Sequence, residues 1–327
     1  MKRLFFLILC FLLLAGCAAA PETIEPEFIL TYAENQPEGY PTVLAAQRFA
    51  ELVKEQTGGR VIIQIKHSGE FGSESEVLSQ MAFGGIDFAR VSLAELSDEI
   101  PKLNVLQLPF LYKDADHMWR ILDGEIGEEF LDLFSGAGLV GLSWYDAGAR
   151  CFYTNVRPIR SPEDMAGLTV RVQDSQLVMD MVKLLGAAPV TFHYSDVSYA
   201  FEMGKIDAAE NNWPAYQIQE HYLLARYFTV DEHSRVPEIQ LASQRTWDAL
   251  PPEYRDIIAA CARESALYQR QLWKEQEERS RKEAIEAGCV EIILRPAQKE
   301  AFRALAEPLY ERYCSAYMEL VKQIQNG

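Results

Sequence analysis

The 327-residue chain is short of positive charge, with 31 Lys and Arg against 48 Asp and Glu and a formal net charge of −17. A surface this acidic repels phosphate backbones unless basic residues are locally concentrated. The sequence contains no Lys/Arg block, so no nucleic-acid partner is expected. It has no C-x-x-C pair, and its five histidines, His67, His117, His193, His221 and His233, are scattered without metal-ligand spacing, so no metal site is expected. A G-x-S-x-G nucleophile elbow is missing too. The string Gly136-x-Gly138-x-x-Gly141 imitates a dinucleotide fingerprint, but a helical run precedes it and an apolar strand, Leu139 to Tyr145, follows it. Pyrophosphate binding needs the opposite order, so that helix N-terminal amides meet the ligand. No cofactor is expected. Hydrophobic residues make up 49% and charged residues 24%, the balance of a packed soluble protein of about two domains.

Long apolar runs are also lacking, apart from Leu4 to Ala15 behind Lys2 and Arg3. That stretch falls short of the ~20 residues that span a bilayer and reads as a secretory signal. It closes on Leu14-Ala15-Gly16-Cys17, which resembles the lipobox of bacterial lipoproteins. The resemblance implies that Cys17 becomes an acylated N-terminus and ties the protein to the outer face of a membrane, with residues 18–27 as a tether. Of the six cysteines, Cys10 leaves with the signal, and Cys151, Cys261, Cys289 and Cys314 remain in the folded part. Four thiols so widely spaced do not form a disulfide scaffold. Free thiols are expected.

From Phe28 onward short apolar runs alternate with helical ones, the pattern of an α/β protein. Strands are predicted at Phe28 to Ala33, Arg60 to Lys66 and Ile86 to Val91, with helices at Pro41 to Gln56 and Ser73 to Phe83 between them. A second series starts near Cys151, with strands at Cys151 to Asn155, Leu168 to Val172, around Val190 and at Asp207 to Glu210. Helices are predicted there at Ser175 to Leu185 and Ser195 to Met203. Strand-helix-strand order predicts mostly parallel sheets. Between Pro252 and Ala287 neither Gly nor another Pro interrupts a helical run beyond the first turn, long enough at about 54 Å to lie across both halves. The tail, Pro296 to Ile324, is helical again.

Several strings occur in a characteristic order: YAENQPEGYP from Tyr32, RFAELVKEQTGGRV from Arg48, GEFGSESEVL from Gly69 and LPFLYKDADH from Leu108. GARCFYTNVRPIRSPEDMAGLTVRV from Gly148, DAAENNWPAY from Asp207 and TWDALPPEYRDII from Thr246 follow. In these the chain resembles the DctP-type solute-binding proteins of TRAP (tripartite ATP-independent periplasmic) transporters over nearly everything from Phe28 onward. The resemblance implies a two-lobed, periplasmic-binding-protein-like α/β fold with a long helix spanning both lobes. It places lobe one at 28–148 with about 236–271 returning, and lobe two at 149–235 with about 272–327. It implies a monomer that captures a small organic acid, delivers it to membrane permease subunits, and uses no nucleotide.

Residue by residue, Arg171 matches the family arginine that grips the ligand carboxylate, since a guanidinium offers a planar fork of donors. Asn211 matches an asparagine that meets the same carboxylate or a neighbouring hydroxyl, Arg150 a second arginine, and Tyr194 an aromatic that walls the pocket. Glu34, Asn35, Glu74 and Ser92 are the lobe-one candidates. Ser92 stands where sialic-acid binders carry glutamate, which counts against that ligand. Trp213, Trp144 and Tyr145 could present faces to a sugar ring. Polar groups and aromatics together favour a sugar acid over a plain dicarboxylate. Two rivals stay open on sequence alone: an enzyme acting on carbohydrate acids in the same cleft, and a sensor signalling to a membrane receptor.

Overall fold

The computed structural model describes residues 25–327, so the signal, Cys17 and most of the tether lie outside the described residues. The strands are β1 Phe28–Ala33, β2 Val61–Lys66, β3 Phe88–Ser92, β4 Leu139–Tyr145, β5 Arg150–Thr154, β6 Thr169–Val172, β7 Ala188–Thr191, β8 Ala208–Asn211, β9 Tyr227–Ser234, β10 Glu238–Ser243 and β11 Val290–Ile293. They form two sheets, one in the order β2-β1-β3-β10-β4 and one in the order β11-β9-β5-β8-β6-β7. Helices cover the sheets, and each sheet has its own core. Phe49, Phe88 and Ile258 are fully buried in the first lobe, and Phe152, Val170 and Met181 in the second. The architecture is the two-lobed α/β fold that the family resemblance implied.

One strand in each sheet runs against the others, and the chain path explains it. The chain leaves β4 at Tyr145 and enters the second sheet five residues later at Arg150; it leaves β9 at Ser234 and re-enters the first sheet at Glu238. Both crossings occur at the edge where the two sheets face each other. A strand that enters a sheet from that edge must run away from it, whereas its neighbours arrive there. So β5 is antiparallel to β8 and β9, and β10 to β3 and β4. Of these strands, β9, β10 and β11 were absent from the sequence reading. Asp231 and His233 break the apolar alternation of β9 although both are buried.

The helix Pro252–Glu286 is 35 residues long, about 52 Å. Its buried residues, Tyr254, Ile258, Cys261, Ser265, Gln269, Trp273, Gln276, Ser280 and Ala284, recur every three or four positions and form one stripe from end to end. Tyr254, Ile258 and Cys261 pack into the core of the first lobe, and Ala284 into the second. At mid-length Gln269 pins the first crossing: its Oε1 accepts from the Asp146 amide at 2.7 Å and its Nε2 donates to the Asp146 carbonyl at 2.9 Å. Gly148, two residues on, has φ +65°, and a Cβ there would stand 2.6 Å from Glu277 Oε1 and 2.9 Å from Trp273 Nε1. Only glycine lets the crossing lie so close to the helix.

The C-terminal segment departs from the expectation that 272–327 belongs to lobe two. Phe302, Ala306 and Leu309 do pack in the core of the second lobe. Val321 and Ile324, on the helix Met318–Asn326, pack instead beside Leu103, Met118 and Ile121 of the first, and the Ile324 carbonyl lies 2.7 Å from His117 Nε2. The tail therefore makes a further crossing, because its two apolar stripes find different cores. Cys151, Cys261, Cys289 and Cys314 are free and buried. Among the described residues no helix is long and apolar enough to cross a membrane.

Replacing Gln269 by alanine removes two buried hydrogen bonds and leaves the Asp146 peptide groups unpaired, at about 1–3 kcal/mol. The urea midpoint should fall with an unchanged slope; an unchanged midpoint would show that the crossing does not depend on this side chain.

Candidate functional site

In open α/β sheets ligands bind beyond the carboxyl ends of parallel strands. Both sheets direct those ends into the gap between the lobes. Glu34 and Asn35 follow β1, and Arg90 and Ser92 lie at the end of β3. Across the gap, Arg171 is on β6, Tyr194 follows β7, and Asn211 ends β8. The two reversed strands bring their first residues, Arg150 and Glu238, to the same place. A hydrogen bond from Gln173 Nε2 to Ser92 Oγ, 3.3 Å, spans the gap.

The second lobe contributes two buried guanidiniums. Arg171 is 4% exposed. Its Nε and Nη2 donate to the Phe192 carbonyl at 3.0 and 2.7 Å, and among the described residues no carboxylate lies within ion-pair distance of it. Of the five N–H donors on a guanidinium, three are uncommitted. Burial lowers its pKa, Glu210 and Tyr153 oppose the shift, and Arg150 adds to it. Arg150 is tied instead to Glu210 through Nε and through Nη2 at 2.8 Å, and its Nη1 donates to Asn211 Oδ1 at 3.3 Å. That oxygen also accepts from the Asn212 amide at 2.9 Å, which fixes the Asn211 side chain with its Nδ2 lacking an acceptor among the described residues. Tyr194 has a buried hydroxyl without a hydrogen-bond partner, and burial pushes it up to about 12.

Behind Arg150, Glu210 is 3.5 Å from His233 Nε2, while His233 Nδ1 is 2.7 Å from Asp231 Oδ2. Burial alone would lower the His233 pKa, but Asp231 and Glu210 raise it to about 9. Burial would likewise raise Glu210, yet Arg150 and His233 hold it at about 2. This charged row is closed to solvent and fixes Arg150 in place.

The first lobe presents a different wall. Arg90, 2% exposed, donates from Nε to both oxygens of Glu34 at 3.1 Å, from Nη2 to Glu34 Oε1 and Asn35 Oδ1, and from Nη1 to Glu74 Oε1 at 2.8 Å. Glu238 Oε1 completes the ring 3.3 Å from Nη1. Glu74 Oε1 also accepts from Asn35 Nδ2 at 2.7 Å, and its Oε2 from the Ser92 amide at 2.9 Å. Glu34, Asn35, Glu74 and Ser92 thus belong to one assembly whose centre, Arg90, the sequence reading passed over together with Glu238. Charge alone could not have marked them, because the partners lie 16 to 56 residues from Arg90 along the chain or on the returning strand.

The aromatic candidates are occupied elsewhere. Trp213 stacks on Phe228 with centroids 3.7 Å apart in the core of the second lobe. Trp144 packs against Phe134, and Tyr145 bonds to Ser265 beneath the long helix. The three rings pack within the lobes, Trp213 6%, Trp144 3% and Tyr145 0% exposed.

Comparison with known proteins agrees with this geometry. Residues 32–316 match the profile of the bacterial extracellular solute-binding proteins, family 7 (DctP). A solute-binding protein of Chromohalobacter salexigens is 35% identical over 284 residues, covering 87% of this chain and 84% of the relative. A TRAP periplasmic solute-binding protein from a Bradyrhizobium species, solved with α/β-D-galacturonate, superposes with a TM-score of 0.88 at 36% identity, covering 91% of this chain and 99% of that one. A Citrobacter koseri TRAP protein has been solved in two states. The form with bound D-glucuronate superposes at 0.87 (33% identity, 90% and 98% coverage), and the ligand-free open form at 0.82 (32%, 91% and 99%). The lobes here are thus arranged more as in the former, in keeping with the Gln173–Ser92 contact. The chain belongs to the DctP family of bacterial extracellular solute-binding proteins, the family of TRAP transporter binding proteins.

Proposed function

We propose that this protein captures a sugar acid between its lobes and delivers it to a TRAP membrane permease. One observation supports this above the others: Arg171 is a buried cation with three free donors and no anionic partner among the described residues. An unpaired buried charge costs several kcal/mol. A ligand carboxylate would relieve that cost through two parallel charge-assisted hydrogen bonds. Asn211 Nδ2, whose side-chain oxygen is held by Arg150 and the Asn212 amide, and the Tyr194 hydroxyl, without a hydrogen-bond partner among the described residues, are then available to the carboxylate or to a hydroxyl beside it. The relatives solved with galacturonate and glucuronate point to the same ligand class.

Binding couples to closure because the contacts come from both lobes. A ligand shifts an equilibrium only by its differential affinity for the two states. Shifting populations from 1:99 to 99:1 takes about 5.5 kcal/mol, within reach of one desolvated ion pair and several hydrogen bonds. The protein's part ends with release to the permease, so the acid leaves chemically unchanged. Cys17, acylated, would hold the protein at the membrane, where two chains are needed for stable anchoring, and a single copy suffices for binding.

Calorimetry with D-galacturonate and D-glucuronate should show one-to-one binding, with the acid recovered intact. Arg171→Lys should weaken it on the order of 100-fold, since an ammonium cannot reproduce the fork; equal affinity in the variant would remove Arg171 as the anchor. The folded-state pKa of His233, about 9, lies above its ordinary value of about 6.5. Its stabilising contribution is therefore complete below pH 6.5 and lost as the pH rises through 9. Melting temperature should fall by several degrees over that interval, about as expected for such a linkage, and His233→Gln should flatten the profile. Cys17→Ser should shift the protein from the membrane to the soluble fraction; continued membrane retention would refute the lipid anchor.

A further inference from the structure

The three arginines of the cleft differ in how many donors they have left. Arg171 has three free and Arg150 one, whereas every nitrogen of Arg90 faces a carboxylate or amide oxygen: Glu34 takes its Nε and one Nη2 proton, Asn35 the other Nη2 proton and Glu74 one Nη1 proton, with Glu238 Oε1 3.3 Å from Nη1. The first-lobe wall is correspondingly rich in acceptors. Three carboxylates surround one guanidinium, and each ionised carboxylate has about four lone-pair sites. Glu238 is the least satisfied of the three, with Arg90 as its sole partner among the described residues and Oε2 unused. It stands at the start of β10, directly after the second crossing, beside Ser92 and Tyr145. Its side chain is 19% exposed, against 0% for Glu34. Its field also reaches the second lobe, where it supports the charge of Arg150.

We propose that Glu238 and Glu74, held around Arg90, form a charge filter that admits an acid whose far end carries hydroxyls and rejects one whose far end carries a second carboxylate. The proposal rests on Arg171 anchoring the first carboxylate. A hydroxyl at the far end donates to Glu238 Oε2 and gains a charge-assisted bond. A carboxylate there meets like charges, finds Arg90 already ringed by three carboxylates, and cannot be desolvated without loss. The local excess of negative charge is visible on Glu238 itself: burial pushes its pKa up to about 7, Arg90 opposes the shift, and Glu74 and Glu34 reinforce it. The ligand class is thereby narrowed from sugar acids in general to hydroxylated monoacids, with aldarates and C4-dicarboxylates excluded.

The test is calorimetry on the full mature chain at pH 8, with D-galacturonate against galactarate, the diacid with the same carbon skeleton, and succinate. The wild type should prefer galacturonate over galactarate by about 100-fold. Glu238→Gln and, separately, Glu74→Gln should each narrow that ratio by about tenfold through a gain for the diacid. If the wild type binds galactarate within about threefold of galacturonate, the filter does not exist, although the Arg171 anchor stands. If both variants melt as the wild type does and leave the ratio unmoved, the preference has another origin and the assignment fails. If none of the three acids binds, the sugar-acid reading itself falls and this inference falls with it.

Discussion

A guanidinium removed from water without a counter-ion is the constraint from which the rest of the site follows. Arg171 sits on a parallel strand whose neighbours supply only hydrophobic walls and one carbonyl, that of Phe192. Folding alone cannot satisfy it. The nearest acid on its own sheet, Glu210, is already committed to Arg150 and His233, so the second lobe has a vacancy for negative charge that its own sequence does not fill.

The contrast among the three cleft arginines shows what burial and pairing do to one residue type. Arg150 is neutralised locally by Glu210 and acts as a fixed brace for Asn211. Arg90 is over-neutralised and serves to hold three carboxylates in a ring that would otherwise repel itself apart. Arg171 keeps the most donors uncommitted, three of five. A sequence records three arginines on strands; only the count of donors spent in the fold tells how each is paired.

Much of the fold was legible because the signals are local. Pro41 opens and Thr57 ends the first helix as the sequence predicts, and β1 occupies Phe28 to Ala33 as read. Ser73 caps its helix through the reciprocal bond with Glu76, and the long helix announces itself by lacking breakers. What was not legible depended on partners distant in sequence. The apolar alternation of β9 is broken by Asp231 and His233, which are buried against each other with the Phe152 amide on Asp231 and Glu210 beside His233. Trp213, at the start of the helix Trp213–Ile218, stacks on Phe228, fifteen residues away on β9. The Met318–Asn326 helix carries an apolar stripe that fits either lobe equally well in one dimension, and only the proximity of Met118 and Ile121 decides.

Hinge and binding site also coincide for a topological reason. Each crossing leaves one sheet and enters the other at the edge where parallel strands end, and ligand-binding residues collect at that same edge. Arg150 and Glu238 are the first residues after the two crossings, so any rotation of the lobes moves them directly. Gln269 and Gly148 hold the first crossing against the middle of the long helix, while Glu238 joins the second crossing to Arg90. A guest that bridges Arg171 and Glu238 therefore acts at the hinge itself, with almost no lever arm between the contact it makes and the motion it biases. A coupling so short needs no relay through the core of either lobe, because Glu238 sits on the strand that carries the chain across.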